Sequence, residues 1–162
     1  MQDWLDLKLS DEDRVVVESF FGLRPEWLAL GNPEKALLAR FESEVEGVEP
    51  LEVDLDECSI FWGKWHGHYD IGVPEGIERA VEAVEDILAE RRVRVVKFFA
   101  NGEGTGSTIC KPEDIHLERP RPEAVGWALS VLPGQAAESN RPVLLKVTSW
   151  RGALSQEICL EL

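Results

Sequence analysis

Residues 51–71, LEVDLDECSIFWGKWHGHYDI, decide the predicted fold because the period of the sequence changes there. Leu51, Val53 and Leu55 alternate with acidic residues, which is typical of a strand with one buried and one solvent-facing side. A second strand is predicted from Ser59 to Ile71. The short gap between the two favours an antiparallel pair, which would make their side chains neighbours.

An amphipathic helix is predicted directly after this stretch, at 75–91, with Pro74 opening it. Its apolar side combines six residues at helical spacing: Ile77, Ala80, Val81, Val84, Ile87 and Leu88. Runs rich in β-branched and aromatic residues then predict strands at 93–99, 105–110 and 124–132, followed by a terminal hairpin of 143–150 and 154–160.

Helical signals dominate the residues that precede this stretch. Ser10 as an N-cap, with Asp13 at the capping-box distance, predicts a helix over 11–21. A short helical turn is predicted at 25–28, and a further helix is predicted to begin at Pro33 and to end at Gly47.

The order of these elements predicts an α+β protein, with N-terminal helices followed by a largely antiparallel sheet and one central amphipathic helix. A length of 162 residues predicts a single domain over 1–162. Within it, 1–47 would be a helical subregion, and 51–162 would hold the sheet and the helix at 75–91.

The charge balance excludes several classes of function. The chain has 17 Lys and Arg against 31 Asp and Glu, and a net charge of −14 repels the phosphate backbone of nucleic acids. The sequence shows neither a transmembrane run nor the basic and apolar regions of a signal peptide, so no membrane partner and a cytoplasmic location are expected. No cofactor is predicted.

The three cysteines, Cys58, Cys110 and Cys159, are far apart in sequence and form no CxxC motif. A disulfide framework and a zinc ribbon are therefore not expected, and the three are interpreted as small buried apolar residues.

An acidic block precedes a run of aromatic residues. Residues 42–57 hold eight acids and no Lys or Arg, and such a block costs self-repulsion unless it has a use. Aromatic side chains anchor protein interfaces, and charge steers the encounter with a partner of opposite sign. We therefore expect a surface for a basic protein partner, built from Glu52, Asp54, Asp56, Trp62, Trp65 and Tyr69. The alternatives are a solvated acidic face and rings packed across neighbouring strands.

A metal site is the alternative for the same segment. On one continuous strand, His66, His68 and Asp70 would share a face with Trp62 and Lys64, opposite Phe61, Trp65 and Tyr69. Two imidazoles and a carboxylate suit Zn²⁺ or Fe²⁺, and the string resembles the His-x-His-x-Asp string of metallo-β-lactamase-type hydrolases over these five residues. That family needs further histidines downstream, and only His116 remains.

The remaining motifs give weaker evidence for a function. The glycine-rich residues 101–108 lack the lysine of a phosphate-binding loop, so they predict a hairpin turn. Asp54 and Asp56 form a D-x-D pair, but a glycosyltransferase core would not fit this length. No G-x-S-x-G motif is present.

In size, acidity, order of elements and tryptophan content, the whole chain resembles the small cytoplasmic immunity proteins that bacteria make against their own polymorphic or contact-dependent toxins. The resemblance implies a non-catalytic protein that covers a toxin, often a basic nuclease, with an acidic surface. Two alternatives stay open: a small metal-dependent enzyme, and a structural or assembly subunit that pairs with itself.

Overall fold

The computed structural model describes residues 11–29, 37–55, 58–70, 72–99, 101–115 and 142–159. The chain divides into two compact units, Met1–Glu85 and Asp86–Leu162. The fold is mixed α+β and rich in sheet, with two antiparallel sheets in the described residues, one in each unit.

The first unit is built on a five-stranded antiparallel sheet. Its elements in chain order are α1 (Asp11–Phe21), β1 (Glu26–Ala29), β2 (Leu37–Phe41), β3 (Leu51–Asp54), β4 (Ser59–Trp62), β5 (Trp65–His68) and the start of α2 (Pro74–Leu88). Each strand pairs with the next along the chain, so the spatial order is β1-β2-β3-β4-β5.

One face of this sheet is apolar and buried. The directly paired Ala39, Val53 and Ile60 are each 0% exposed, as are the paired Leu51 and Trp62. The two helices bury apolar side chains in the same unit: Val16, Val17 and Phe20 from α1, and Ile77, Ala80 and Val84 from α2. The alternate residues of the strands point to the other face, which holds the charged side chains.

Helix α2 begins at Pro74, whose fixed φ suits a first helical position. It ends near Glu90, which adopts a left-handed conformation with φ of 58°. Asp86 then binds the chain beyond the helix: its carboxylate accepts hydrogen bonds from Arg91 at 2.6 Å and Arg92 at 2.9 Å. Neither described helix is long and apolar enough to cross a membrane.

The second unit contains β6 (Val93–Phe99), β7 (Gly104–Cys110), a short 3₁₀ turn (Pro112–Ile115), β8 (Pro142–Thr148) and β9 (Gln156–Cys159). Its antiparallel strands are ordered β7-β6-β8-β9. One cluster forms its core: Val93, Val95, Ile115, Leu145, Val147 and Ile158.

The three thiols are free and differ in exposure. Cys58 is buried in the turn between β3 and β4, and burial raises its pKa to about 11. Burial raises the pKa of Cys110, on β7, to about 12. Cys159 is exposed on β9, at the opposite edge of the second sheet from β7.

The structure confirms the predicted helix at 11–21 and places the predicted 75–91 helix at Pro74–Leu88. The expected strands at 51–55, 93–99 and 105–110 and the terminal hairpin are also present, with small shifts of their ends. The strand predicted at 124–132 lies outside the described residues.

The helical subregion over 1–47 is wrong where it placed helices beyond α1. Residues 26–29 and 37–41 are strands β1 and β2, which pair with each other and with β3. The apolar residues near Leu38 and Phe41 fit helical spacing, but Ala39 and Phe41 are buried on one side while Arg40 is on the other. A run this short is compatible with either period, and pairing with the strongly alternating β3 selects the strand.

Candidate functional site

The charged face of the first sheet, called the open face here, carries one row of side chains across all five strands. The residues that the register pairs directly in this row are Glu26, Arg40, Glu52, Phe61 and His66. Asp54, Ser59 and His68 are paired in the neighbouring row. Because strands lie about 4.8 Å apart, the first row spans about 19 Å.

The open face is acidic. Residues 37–55 contain six acids and one base, Arg40. Of these acids, Glu52 and Asp54 lie on the open face by register, and Glu42 lies there through its contact with Arg40. The Arg40 guanidinium contacts two of these acids: its Nε donates to the Glu42 carboxylate and its Nη1 to Glu52 at 3.0 Å. The hydrogen bond to Glu42 raises the pKa of Arg40 above its usual value. The only positive charge of this segment is therefore held between carboxylates.

Exposed rings lie next to these carboxylates, along the β4–β5 hairpin. Phe61 is 38% exposed, and its ring stacks on His66 with centroids 6.2 Å apart. The His66 and His68 rings meet edge to face at 5.1 Å. The Ser59 hydroxyl lies 2.7 Å from His68 Nδ1 and holds this ring in place. The three rings form a continuous strip, and Phe61 is directly paired with Glu52 on β3.

The predicted aromatic anchors lie on the opposite face. Trp62 is 0% exposed, so its indole belongs to the core and the expectation that a partner contacts it is wrong. Trp65 is paired with Trp62 and is half-buried. Its ring and that of Tyr69 lie over Gly67, at 2.9 Å and 3.4 Å from the position that a Cβ would take there.

The predicted aromatic anchors lie on the opposite face because a turn at Gly63 and Lys64 breaks the predicted strand over 59–71 into a hairpin. Gly63 has a φ of 58° and Lys64 does not have a positive φ, which is the pattern of a type II′ turn. The turn puts Phe61 on the same face as His66, whereas one continuous strand would place them on opposite faces. A glycine at the first central position was the signal that could have revealed Phe61.

The acidic residues of the predicted surface are partly placed as expected. Glu52 and Asp54 are half-buried on the open face, and Asp56 lies outside the described residues. The structure adds Glu26 and Glu42, which only the strand character of β1 and β2 brings to this face.

The predicted metal ligands do not converge. His66 and His68 are neighbours, but the Asp70 carboxylate accepts a hydrogen bond from the Gly72 amide at 2.8 Å. Within the described ranges, no three His, Cys, Asp or Glu side chains are grouped so that they could hold a metal ion. His116 lies outside those ranges.

The Ser59–His68 pair does not form a nucleophile and its base. Ser59 is 0% exposed, so a substrate cannot reach its hydroxyl. The glycine-rich segment is the hairpin turn that the sequence predicts: β6 pairs with β7, and the Asn101 carboxamide accepts a hydrogen bond from the Glu103 amide at 3.0 Å.

Comparison with protein-family models, with curated proteins and with solved structures finds no match for this chain.

Proposed function

We propose that this chain is a non-catalytic protein-binding module whose open face binds a basic protein. The observation that carries the proposal is the strip of exposed rings beside carboxylates on one face, with Arg40 already paired. The carboxylates attract a basic partner over distance, and the rings provide the apolar contact that holds it.

The shape of the open face supports a broad partner surface. The row from Glu26 to His66 crosses five strands, so a partner contacts several strands at once. Backbone pairing fixes the strands relative to one another, and the Phe61–His66 stack and the Arg40–Glu52 hydrogen bond restrain side chains of this row, which lowers the entropy lost on binding.

The partner that we propose is a toxin domain, with this chain as its immunity protein. A net charge of −14 is suited to neutralising a basic domain, because it favours fast association with a positively charged surface. This role needs no cofactor and no catalytic residue.

The test is binding to the product of the adjacent gene, made as an inactive variant where it is toxic. We expect Phe61→Ser to weaken the Kd at least about tenfold, since ring anchors dominate interfaces. Phe21→Ser is the matched control, because Phe21 is 56% exposed on α1 and not on the sheet. An unrelated basic protein controls for unspecific charge attraction.

Salt provides the second measurement. Association should slow as ionic strength rises, whereas dissociation should change little. If the adjacent product does not bind, the proposed toxin partner is wrong. If Phe61→Ser and Phe21→Ser weaken binding equally, the open face is not the docking surface.

A further inference from the structure

A groove runs between α1 and α2 in the first unit, with a cavity volume of about 360 Å³. Its apolar lining includes Val15, which is 53% exposed, together with Ile77 and Val81. The Ser19 hydroxyl, also in the lining, donates to the Val15 carbonyl at 2.8 Å. The complete lining is Val15, Ser19, Pro74, Ile77, Glu78, Val81, Glu82 and Glu85.

The charged side chains of this lining are all acidic. Glu78, Glu82 and Glu85 follow each other at spacings of four and three residues, so they lie on one side of α2. In the part of the chain that the structure describes, none of the three forms an ion pair or a hydrogen bond. Like charges at this spacing repel each other and destabilise a helix.

We propose that this groove binds a basic amphipathic helix of a partner protein. Apolar side chains of that helix contact Val15, Ile77 and Val81, and its Lys or Arg side chains neutralise the three glutamates. The lining residues of α2 span Pro74 to Glu85, or about 16 Å, which matches three helical turns. Helix-in-groove recognition uses this combination of apolar anchors and flanking charge.

Charge also decides between possible occupants. A second copy of this chain carries the same net charge of −14, so an acidic groove repels it. The groove shares no residue with the open face, and the proposal does not rest on the proposed function.

The probe is a fluorescein-labelled helical peptide of about 14 residues. It has leucines at i, i+3, i+4 and i+7 and lysines on the flanking positions. We expect saturable binding by fluorescence anisotropy at low salt, and none for the same peptide with glutamates in place of the lysines.

Matched variants locate the site. Val15→Ser and the pair Glu78→Gln/Glu82→Gln should each weaken the peptide at least fivefold. The controls Val73→Ser and Glu18→Gln/Glu75→Gln, exposed residues outside the groove, should change the Kd less than twofold.

Three results would overturn the groove proposal: no saturable binding of the lysine peptide, equal weakening by the control variants, or loss of the peptide on Phe61→Ser. The last result would place the peptide on the open face, so a failure of this inference is distinguishable from a failure of the proposed function.

Discussion

Replacing Gly76 by alanine reverses the usual effect of this substitution in a helix. Gly76 lies in the first turn of α2, and its φ is not positive. At an unobstructed helical position, alanine is more stable than glycine by about 0.5–1 kcal/mol, because glycine loses more backbone entropy on folding.

The surroundings of Gly76 reverse that sign. An added Cβ would overlap the carbonyl oxygen of Asp70, and it would lie 2.7 Å from the carbonyl carbon and 3.2 Å from the amide nitrogen of that residue. These are backbone atoms, which cannot rotate away as the end of a side chain can. Overpacking costs about 1–3 kcal/mol, and an overlap with rigid backbone belongs in the upper part of that range, at about 2–3 kcal/mol. After subtraction of a helical gain of about 1 kcal/mol, a net destabilisation of about 1–2 kcal/mol remains.

Urea denaturation followed by circular dichroism measures this effect. With a urea dependence of about 2 kcal/mol per molar, the middle of the usual range for a small protein, the unfolding midpoint should fall by roughly 0.5–1 M. Gly22→Ala is the control, since nothing lies within 4 Å of a Cβ there. That variant should stay within about 0.5 kcal/mol of the wild type. A midpoint for Gly76→Ala at or above that of the wild type would refute the close approach of α2 to Asp70.

Three further predictions concern the hairpin, the end of α2 and the histidines. Trp62→Ala should lower the free energy of unfolding by about 3–5 kcal/mol because the ring is fully buried, whereas Phe61→Ser should lower it by less than about 1 kcal/mol. Equal losses in urea denaturation would contradict the assignment of Trp62 to the buried face and Phe61 to the open face. Burial alone would raise the pKa of Asp86, but the hydrogen bonds and charges of two arginines outweigh burial and lower that pKa. The ionised carboxylate therefore stabilises the fold at pH values above its unfolded pKa, and this stabilisation is lost as the pH falls through the folded pKa. The destabilisation by Asp86→Asn should therefore be full at neutral pH and shrink towards about pH 2, and a pH-independent loss in thermal unfolding would contradict this. Protein purified without a histidine tag should contain well under stoichiometric zinc and iron by mass spectrometry, whereas near-stoichiometric metal that His68→Ala removes would favour the metal-dependent enzyme.

The elements predictable from sequence are those whose pattern is long or strictly periodic. Helix α2 shows an apolar stripe over about three turns, and β3 alternates without exception. Helix α1 has a capping signal and a terminating Gly22. Such patterns outweigh the influence of distant residues.

The site itself was only partly predictable. The acidic character of the open face follows from the sequence, but its aromatic residues depend on a two-residue turn that exchanges the faces of β4 and β5. A shift of one residue in a strand moves every side chain to the other side. The predicted tryptophan anchors and the observed Phe61–His66 pair differ for this reason. Strands β1 and β2 were not predicted because runs of four or five residues fit the period of a helix as well as that of a strand.

Each of the two units contains a thiol whose labelling rate reports on the opening of that unit. Cys58 is buried and Cys110 is half-buried, and burial raises the pKa of both thiols, which lowers the fraction of reactive thiolate. Each thiol therefore reacts faster when its own unit opens, and the two lie in different units. Cys159, already accessible, supplies the reference rate for the reagent. Timed maleimide labelling of the unmodified protein therefore distinguishes opening of the five-stranded half from opening of the four-stranded half, with no engineered label.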